Sequence, residues 1–196
     1  MKRLIIMGPP GAGKGTQAVA LAARIGAAHI STGDIFRANV KEQTELGRTA
    51  QRFMDAGEYV PDEVTNEMVR ERISRDDADS FILDGYPRTV AQVDTLDAML
   101  EELGRPLDAV LALVVDSEEL IARLLKRAET SGRADDTEEV IRHRQEVYTA
   151  ETSPLLKIYG ERGLLREVDG MGDVETVARR IDTALEAPPA PGALKV

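Results

Sequence analysis

Four apolar residues, Leu4–Met7, run straight into Gly8-Pro-Pro-Gly-Ala-Gly-Lys14-Gly-Thr16. A short apolar run, a glycine-rich turn and a helix-forming stretch in immediate succession read as strand, loop and helix. The glycines let the loop turn its backbone N–H groups inward toward an anion, and the helix beginning near Lys14 adds the positive end of its dipole. Lys14 brings a full charge to the outer phosphates of a bound ligand. The segment matches Gly-x-x-x-x-Gly-Lys through Gly8, Gly13 and Lys14. It departs at the next place, where Gly15 stands and the hydroxyl comes one residue later, at Thr16. The bland alternative is a turn that binds nothing; the strand, the lysine and the spacing together favour phosphate.

Beyond the loop, strand-like runs alternate with helical patterns. Ala28–Ser31, Phe81–Leu83, Ala109–Val115 and Leu165–Val168 are the further strands. Helices are expected over Lys14–Gly26, Gly33–Lys41 (capped by Ser31 or Thr32), Asp62–Arg75, Thr89–Leu103, Ser117–Ala128, Asp136–Gly160 and Asp173–Leu185. In the first of these Val19, Ala20, Ala23 and Ala27 are available for packing; in Ser117–Ala128, Leu120, Leu124 and Leu125 face the core. Strands buried on both faces and joined by helices imply an α/β fold: a P-loop parallel five-stranded sheet with helices on both faces. Residues 31–60 and 126–136 do not fit the alternation and read as two small mobile insertions, the first a pair of short helices, the second a polar loop. The remaining segments, 1–30, 61–125 and 137–196, form the core domain. Ala187-Pro-Pro-Ala-Pro-Gly cannot be helical and reads as a frayed tail.

Composition narrows the chemistry. The net charge of -10 argues against nucleic-acid or anionic-membrane partners. With no Cys and two distant His, a zinc or iron–sulfur site of the cysteine type is excluded and a histidine-rich one is not expected. Leu4–Met7 is too short for a signal or a membrane helix, so the expectation is a soluble cytoplasmic protein; nothing in the sequence suggests an obligate dimer, and a monomer is expected.

Two features then point to phosphoryl chemistry. Phe81-Ile-Leu-Asp84 ends a strand in a carboxylate, which in nucleotide-phosphate enzymes faces the loop and holds Mg²⁺, often through water; a turn-capping Asp is the alternative. Arginines also gather against the acidic trend. Arg123 and Arg127 lie four apart on one helix face, Arg133 follows in the polar loop, Arg144 lies on the next helix, and Arg37 and Arg88 stand near other helix starts. Guanidinium forks are the natural means of assembling many phosphate oxygens. Arg142 and Lys126 read as solvated charges. His29 and His143 have no partner beside them in sequence and read as structural; no His–carboxylate pair is evident near the motifs.

Together these motifs resemble the adenylate kinases, in their short-lid form, over essentially the whole chain to about Ala187. Gly8–Thr16, His29–Arg37, Phe81–Thr89 with Gln92, and Arg123–Asp136 carry the resemblance. The resemblance implies reversible transfer of the terminal phosphoryl group of ATP to AMP, with Mg²⁺ and no lid zinc. Gly11, Ala12, Gly13, Lys14, Gly15 and Thr16 look like the ATP phosphate cradle, joined by Arg127 and the Met171-Gly172 turn at the base. Thr32, Arg37, the Glu58-Tyr59-Val60 backbone, Gly85, Tyr86, Pro87, Arg88 and Gln92 look like the AMP pocket, with Arg88 on the phosphate and Gln92 on the adenine edge. Arg123, Arg133 and Arg144, with Lys14, Arg88 and Asp84, resemble the transfer machinery. Residues 31–60 resemble the AMP flap and 126–136 the short lid, where Asp135 and Asp136 are placed to pair with nearby arginines on closure.

Rival readings remain. Pyrimidine-monophosphate kinases share most of these motifs, although Thr32 and Gln92 favour adenine. A GTPase switch needs an Asn-Lys-x-Asp guanine reader, and the chain has no Asn-Lys or Thr-Lys pair. A non-catalytic nucleotide-binding module needs no second pocket.

Overall fold

The computed structural model describes residues 2–131 and 137–187. Strands β1 (Arg3–Met7), β2 (Ala28–Ser31), β3 (Phe81–Asp84), β4 (Ala109–Val114) and β5 (Leu165–Asp169) form one sheet in the order β2-β3-β1-β4-β5, with every pairing parallel. The helices are α1 (Lys14–Ile25), α2 (Thr32–Lys41), α3 (Glu45–Ala56), α4 (Asp62–Ile73), α5 (Val90–Glu102), α6 (Ser117–Ser131), α7 (Glu138–Val147), α8 (Pro154–Glu161) and α9 (Val174–Glu186).

Alternation along the strands builds both cores. In β1, Ile5 and Met7 pack with Val93 and Leu96 of α5 and Leu155 and Tyr159 of α8, while Leu4 and Ile6 pack with Ala18 and Leu21 of α1 and Val177 and Ile181 of α9. This two-faced burial is why the strands read as continuous apolar runs. Residues α2–α3 carry a much smaller cluster of their own, centred on Phe36, Ala50 and Val60.

Several expectations need correction. On α1 the packing face is Gln17, Ala18, Leu21 and Ala22, while Val19 is 55% exposed. Leu124 is buried but Leu125 is 41% exposed, because adjacent helical residues diverge by about 100° and the face is set by Leu120 and Leu124. The polar stretch expected as a loop is helical as far as Ser131, as the end of α6. The single helix expected over 136–160 is broken: α7 passes into a wider turn over Tyr148–Thr152, with Ser153 N–H donating to Tyr148 O (2.9 Å), and α8 restarts at Pro154. Pro154 has no N–H to extend the ladder, so the backbone resets there.

Helices α2 and α3 meet in backbone contact. Gly47 lies so close that a Cβ on it would stand 2.1 Å from Asn39 O and 2.6 Å from Val40 N. Thr44 caps α3 on the Gly47 N–H (3.0 Å) and its hydroxyl also meets Asn39 Oδ1 (2.8 Å). Gly47→Ala should therefore force the helices apart at a cost of about 1–3 kcal/mol. Amide exchange should accelerate across 32–56 and stay slow in β1, β3 and β4; unchanged exchange in α2 and α3 would refute the contact.

Candidate active site

Parallel register brings the sequence motifs to one edge of the sheet. Ile6 pairs with Asp84 and Asp84 pairs with Ser31, so the loop after β1, the carboxylate ending β3 and the helix after β2 start side by side. In the loop, Gly11 and Gly13 have φ of 88° and 89°, conformations costly for other residues, and Gly13 heads α1. Lys14 Nζ donates to Gly8 O (2.7 Å) and Pro9 O (3.0 Å). Burial lowers the Lys14 ammonium from its usual 10.5 to about 8; Asp84 opposes the shift, and Arg88, Arg144 and Arg127 add to it. Those three arginines thus stand within electrostatic reach of Lys14. Ala12 is buried behind the loop and Thr16 is exposed on its outer side.

Asp84 is nearly buried, and its Oδ2 lies 3.5 Å from where a Cβ on Gly15 would be. The missing side chain at Gly15 thus lets loop and carboxylate approach. His29 Nε2 stands 3.5 Å from the same oxygen and makes no hydrogen bond. His29 was expected to lack a partner; the carboxylate comes from the adjacent strand, which local sequence does not reveal. Among the described residues no group of three or more His, Asp or Glu side chains gathers around a metal position. A lone carboxylate beside a phosphate loop fits a hard cation that keeps several waters and draws other ligands from phosphate.

Beside the loop, one cleft is lined by Lys14, Thr32, Arg37, Glu58, Tyr59, Val60, Gly85, Tyr86, Pro87, Arg88, Gln92 and Arg144. Its floor is tightly bonded. Thr32 Oγ1 donates to Gly85 O (3.0 Å), and Arg88 Nε donates to the same carbonyl (2.7 Å). Gln92, 1% exposed, accepts from Arg88 N–H (2.7 Å) and donates to Asp62 Oδ1 (2.7 Å). Its amide keeps one N–H and one lone pair for a ligand. The Tyr86–Pro87 bond is cis. Arg37 is paired with Asp34 (2.6 Å), which holds the Asp34 carboxyl below its usual range against the opposing effect of burial.

Arg123 stands apart from the cleft: Nε donates to Glu119 (2.7 Å) and its Nη groups reach Gly170 O (3.2 and 3.3 Å), beside the turn at Gly172. Buried Gln17 ties the same turn to α1 through Val174 O (2.9 Å). Arg133, Asp135, Asp136 and the tail lie outside the described residues.

Sequence reasoning missed four contributors. Asp62 orients Gln92 and also accepts from Thr89 Oγ1 (2.9 Å), but in sequence it resembles an ordinary acidic helix start. Tyr148 and Thr152 line the cleft from the wide turn between α7 and α8, and only Pro154 hinted at it. His143, expected to be alone, bonds Glu58 at 2.6 Å, with Glu146 at 3.7 Å on its other nitrogen. The Glu58 hydrogen bond chiefly raises the His143 pKa above its usual value.

A sequence profile of the family described as adenylate kinase matches residues 6–164. The chain is 59% identical to an adenylate kinase of Kocuria rhizophila over 187 residues, covering 95% of this chain and 100% of the relative. It is 61% identical to one from a Nocardioides species, covering 95% and 98%. With one from Thermobifida fusca the identity is 55%, covering 94% and 98%.

Two outcomes follow from the charges. With Lys14 near 8, about half of these ammonium groups are neutral at that pH, and a bound triphosphate restores their charge. Triphosphate binding near pH 8 should therefore take up about half a proton beyond that of a Lys14→Met control; calorimetry in buffers of different ionisation enthalpy measures it, and equal uptake would show Lys14 already charged. For His143 the raised value means the tie to Glu58 is complete below the ordinary histidine pKa and is lost as pH rises through the raised one. In Glu58→Gln, the His143 NMR titration should move back toward acid; an unmoved midpoint would discount the bond.

Proposed function

The chain belongs to the adenylate kinase family, and from that premise we propose that the cleft between the phosphate loop and α7 takes AMP, while the loop and the Gly172 turn take ATP. The enzyme is a phosphotransferase: it moves the terminal phosphoryl group of ATP to AMP, reversibly, giving two ADP. The observation that carries the site assignment is the gathering of Arg88, Arg127 and Arg144 around the half-buried Lys14, next to a second pocket with a partly unsatisfied amide at Gln92.

The acceptor is a phosphate oxygen that is already anionic, so no general base is required, and the His29–Asp84 proximity has no proton to remove from it. Catalysis then rests on alignment and on charge stabilisation. Lys14 meets the outer ATP phosphates from the loop, Arg88 holds the AMP phosphate, and Arg144 approaches from α7 on the line between them. Arg123 and Arg127 serve the ATP side, and Arg133 completes the set from the short lid, residues 126–136. Asp84 is the residue that would hold Mg²⁺ beside the loop, and the ion, when bound with ATP, would supply charge neutralisation at its phosphates. Water competes as acceptor, so residues 31–60 and the lid act as flaps that exclude it once both nucleotides are seated.

No helix among the described residues is long and apolar enough to cross a membrane. ATP and AMP are the partners this reading implies, in the cytoplasm, and the net charge of -10 supports a monomer.

A coupled assay of ATP with AMP, CMP, UMP and GMP in turn tests the pocket. AMP should be preferred by at least about a hundredfold in kcat/KM, as expected where unmatched polar edges stay buried; comparable CMP or UMP turnover would reassign it. Arg88→Ala should lower AMP-dependent turnover by about a hundred- to a thousandfold with an unchanged melting temperature. A variant with near-normal activity would remove Arg88 from the reaction.

A further inference from the structure

The resemblance assigns residue 59 a backbone contact only, yet its side chain is the best-placed group around Arg88. The Arg88 guanidinium carbon lies 4.9 Å from the centroid of the Tyr59 ring, within cation–π range. Tyr59 OH is 2.7 Å from Thr152 Oγ1, and Thr152 Oγ1 donates to Arg88 O at 2.8 Å. A carbonyl only accepts, so the Thr152 proton is committed to Arg88, and Tyr59 OH must be the donor to Thr152. The resulting relay runs one way, from Tyr59 through Thr152 to the backbone of the residue whose side chain the Tyr59 ring supports.

We propose that Tyr59 and Thr152 are positioning residues for Arg88, fixing its backbone and its guanidinium plane together so that the Nη edge faces the acceptor phosphate. Four contacts converge on this one arginine: its N–H on Gln92 Oε1, its carbonyl under Thr152, its Nε on Gly85 O, and its π face on Tyr59. Its two Nη groups donate to no described residue, and Arg88 is part of the cleft lining. A long side chain with many rotamers is thus reduced to one arrangement with its fork presented to a ligand, and less freedom remains to be lost when phosphate binds. Thr152 reaches inward because the wide turn over Tyr148–Thr152 rotates it there; it is 5% exposed, unusual for a residue at the end of a helix segment. The ring arrives from the other side, at the end of residues 31–60, so Arg88 is held between flap and core.

The proposal rests on Arg88 meeting the AMP phosphate, and its test separates the two claims. Steady-state kinetics on Tyr59→Leu should show KM for AMP raised about tenfold, the factor a π contact to a half-buried guanidinium commands, with KM for ATP within about twofold. Tyr59→Phe keeps the ring and should recover most of that loss. Thr152→Val should raise KM for AMP about threefold to tenfold, and Thr152→Ser should restore it. In an Arg88→Lys background, where no planar fork remains to be supported, the Tyr59→Leu effect should shrink to about twofold. Equal effects in the two backgrounds, or a Tyr59→Leu variant with unchanged KM for AMP, would overturn the positioning role. If Arg88→Lys itself leaves KM for AMP unchanged, it is the AMP-phosphate assignment that fails. Should Tyr59→Leu not fold, the Thr152→Val and Thr152→Ser pair decides: equal KM values for AMP would overturn the proposal.

Discussion

Parallel pairing of β1 between β3 and β4 is the constraint on which the rest depends. Because all five strands run one way, their carboxyl ends share an edge, and every loop that leaves the sheet there starts within reach of the others. The registers Ile6–Asp84 and Asp84–Ser31 then fix which residues meet. A one-residue slip of β3 would exchange Phe81 and Leu83 with Ile82 between the two cores and turn Asp84 away from Gly15. The apolar packing on both faces that forbids such a slip therefore also holds the geometry of the candidate site, and Ile6 and Met7 take part in both, since they line the cleft as well.

The same edge concentrates charge against the character of the chain. A protein with net charge -10 sets Lys14, Arg88, Arg127 and Arg144 within electrostatic reach of one another, with Asp84 as an opposing anion. Burial and mutual repulsion both disfavour that arrangement, which is why the lysine sits near 8. A polyphosphate seated as proposed would offset both effects at once, and so would the transferring group, with charge spread over its equatorial oxygens. Acidic surroundings elsewhere leave this edge as the place where such an anion is welcome.

The fold was largely legible because its signals are local and periodic: each strand is a continuous apolar run, and Ser31, Thr89 and Asp173 cap the helices after them as their residue types suggest. The phosphate loop and Asp84 stand out by their own pattern, a Gly-rich turn after one strand and a carboxylate ending another, whereas the places of Arg88 and Gln92 came from the resemblance, and the structure sets both in the cleft beside the loop. What escaped depends on approach through space. The His29–Asp84 and His143–Glu58 pairs join residues 55 and 85 positions apart, and neither histidine has a partner nearby in the chain. Val19 and Leu125 were misplaced because apolar character alone does not say which of two adjacent helical residues faces inward. The wide turn before Pro154 was overlooked because a uniform helical pattern masked a proline that breaks the hydrogen-bond ladder.

Three consecutive residues, Gly57, Glu58 and Tyr59, bind the end of the flap to the segment that carries Arg144. Gly57 lies against Val140 and Arg144, where a Cβ would stand 3.1 Å from a side-chain carbon of each. Glu58 holds His143, and Tyr59 holds Thr152. Each contact is modest, and the Glu58–His143 pair is exposed enough to add little by itself. Their succession matters more than their strength. A chain gripped at three adjacent positions cannot shift by a residue or pivot freely, so the end of residues 31–60 is fixed against α7 and the turn beyond it. Arg88, on the core, is drawn into the same seam through Tyr59 and Thr152. Arg88 and the helix that carries Arg144, the two groups that the proposed mechanism sets on either side of the transferring phosphate, are thus joined through one continuous set of contacts.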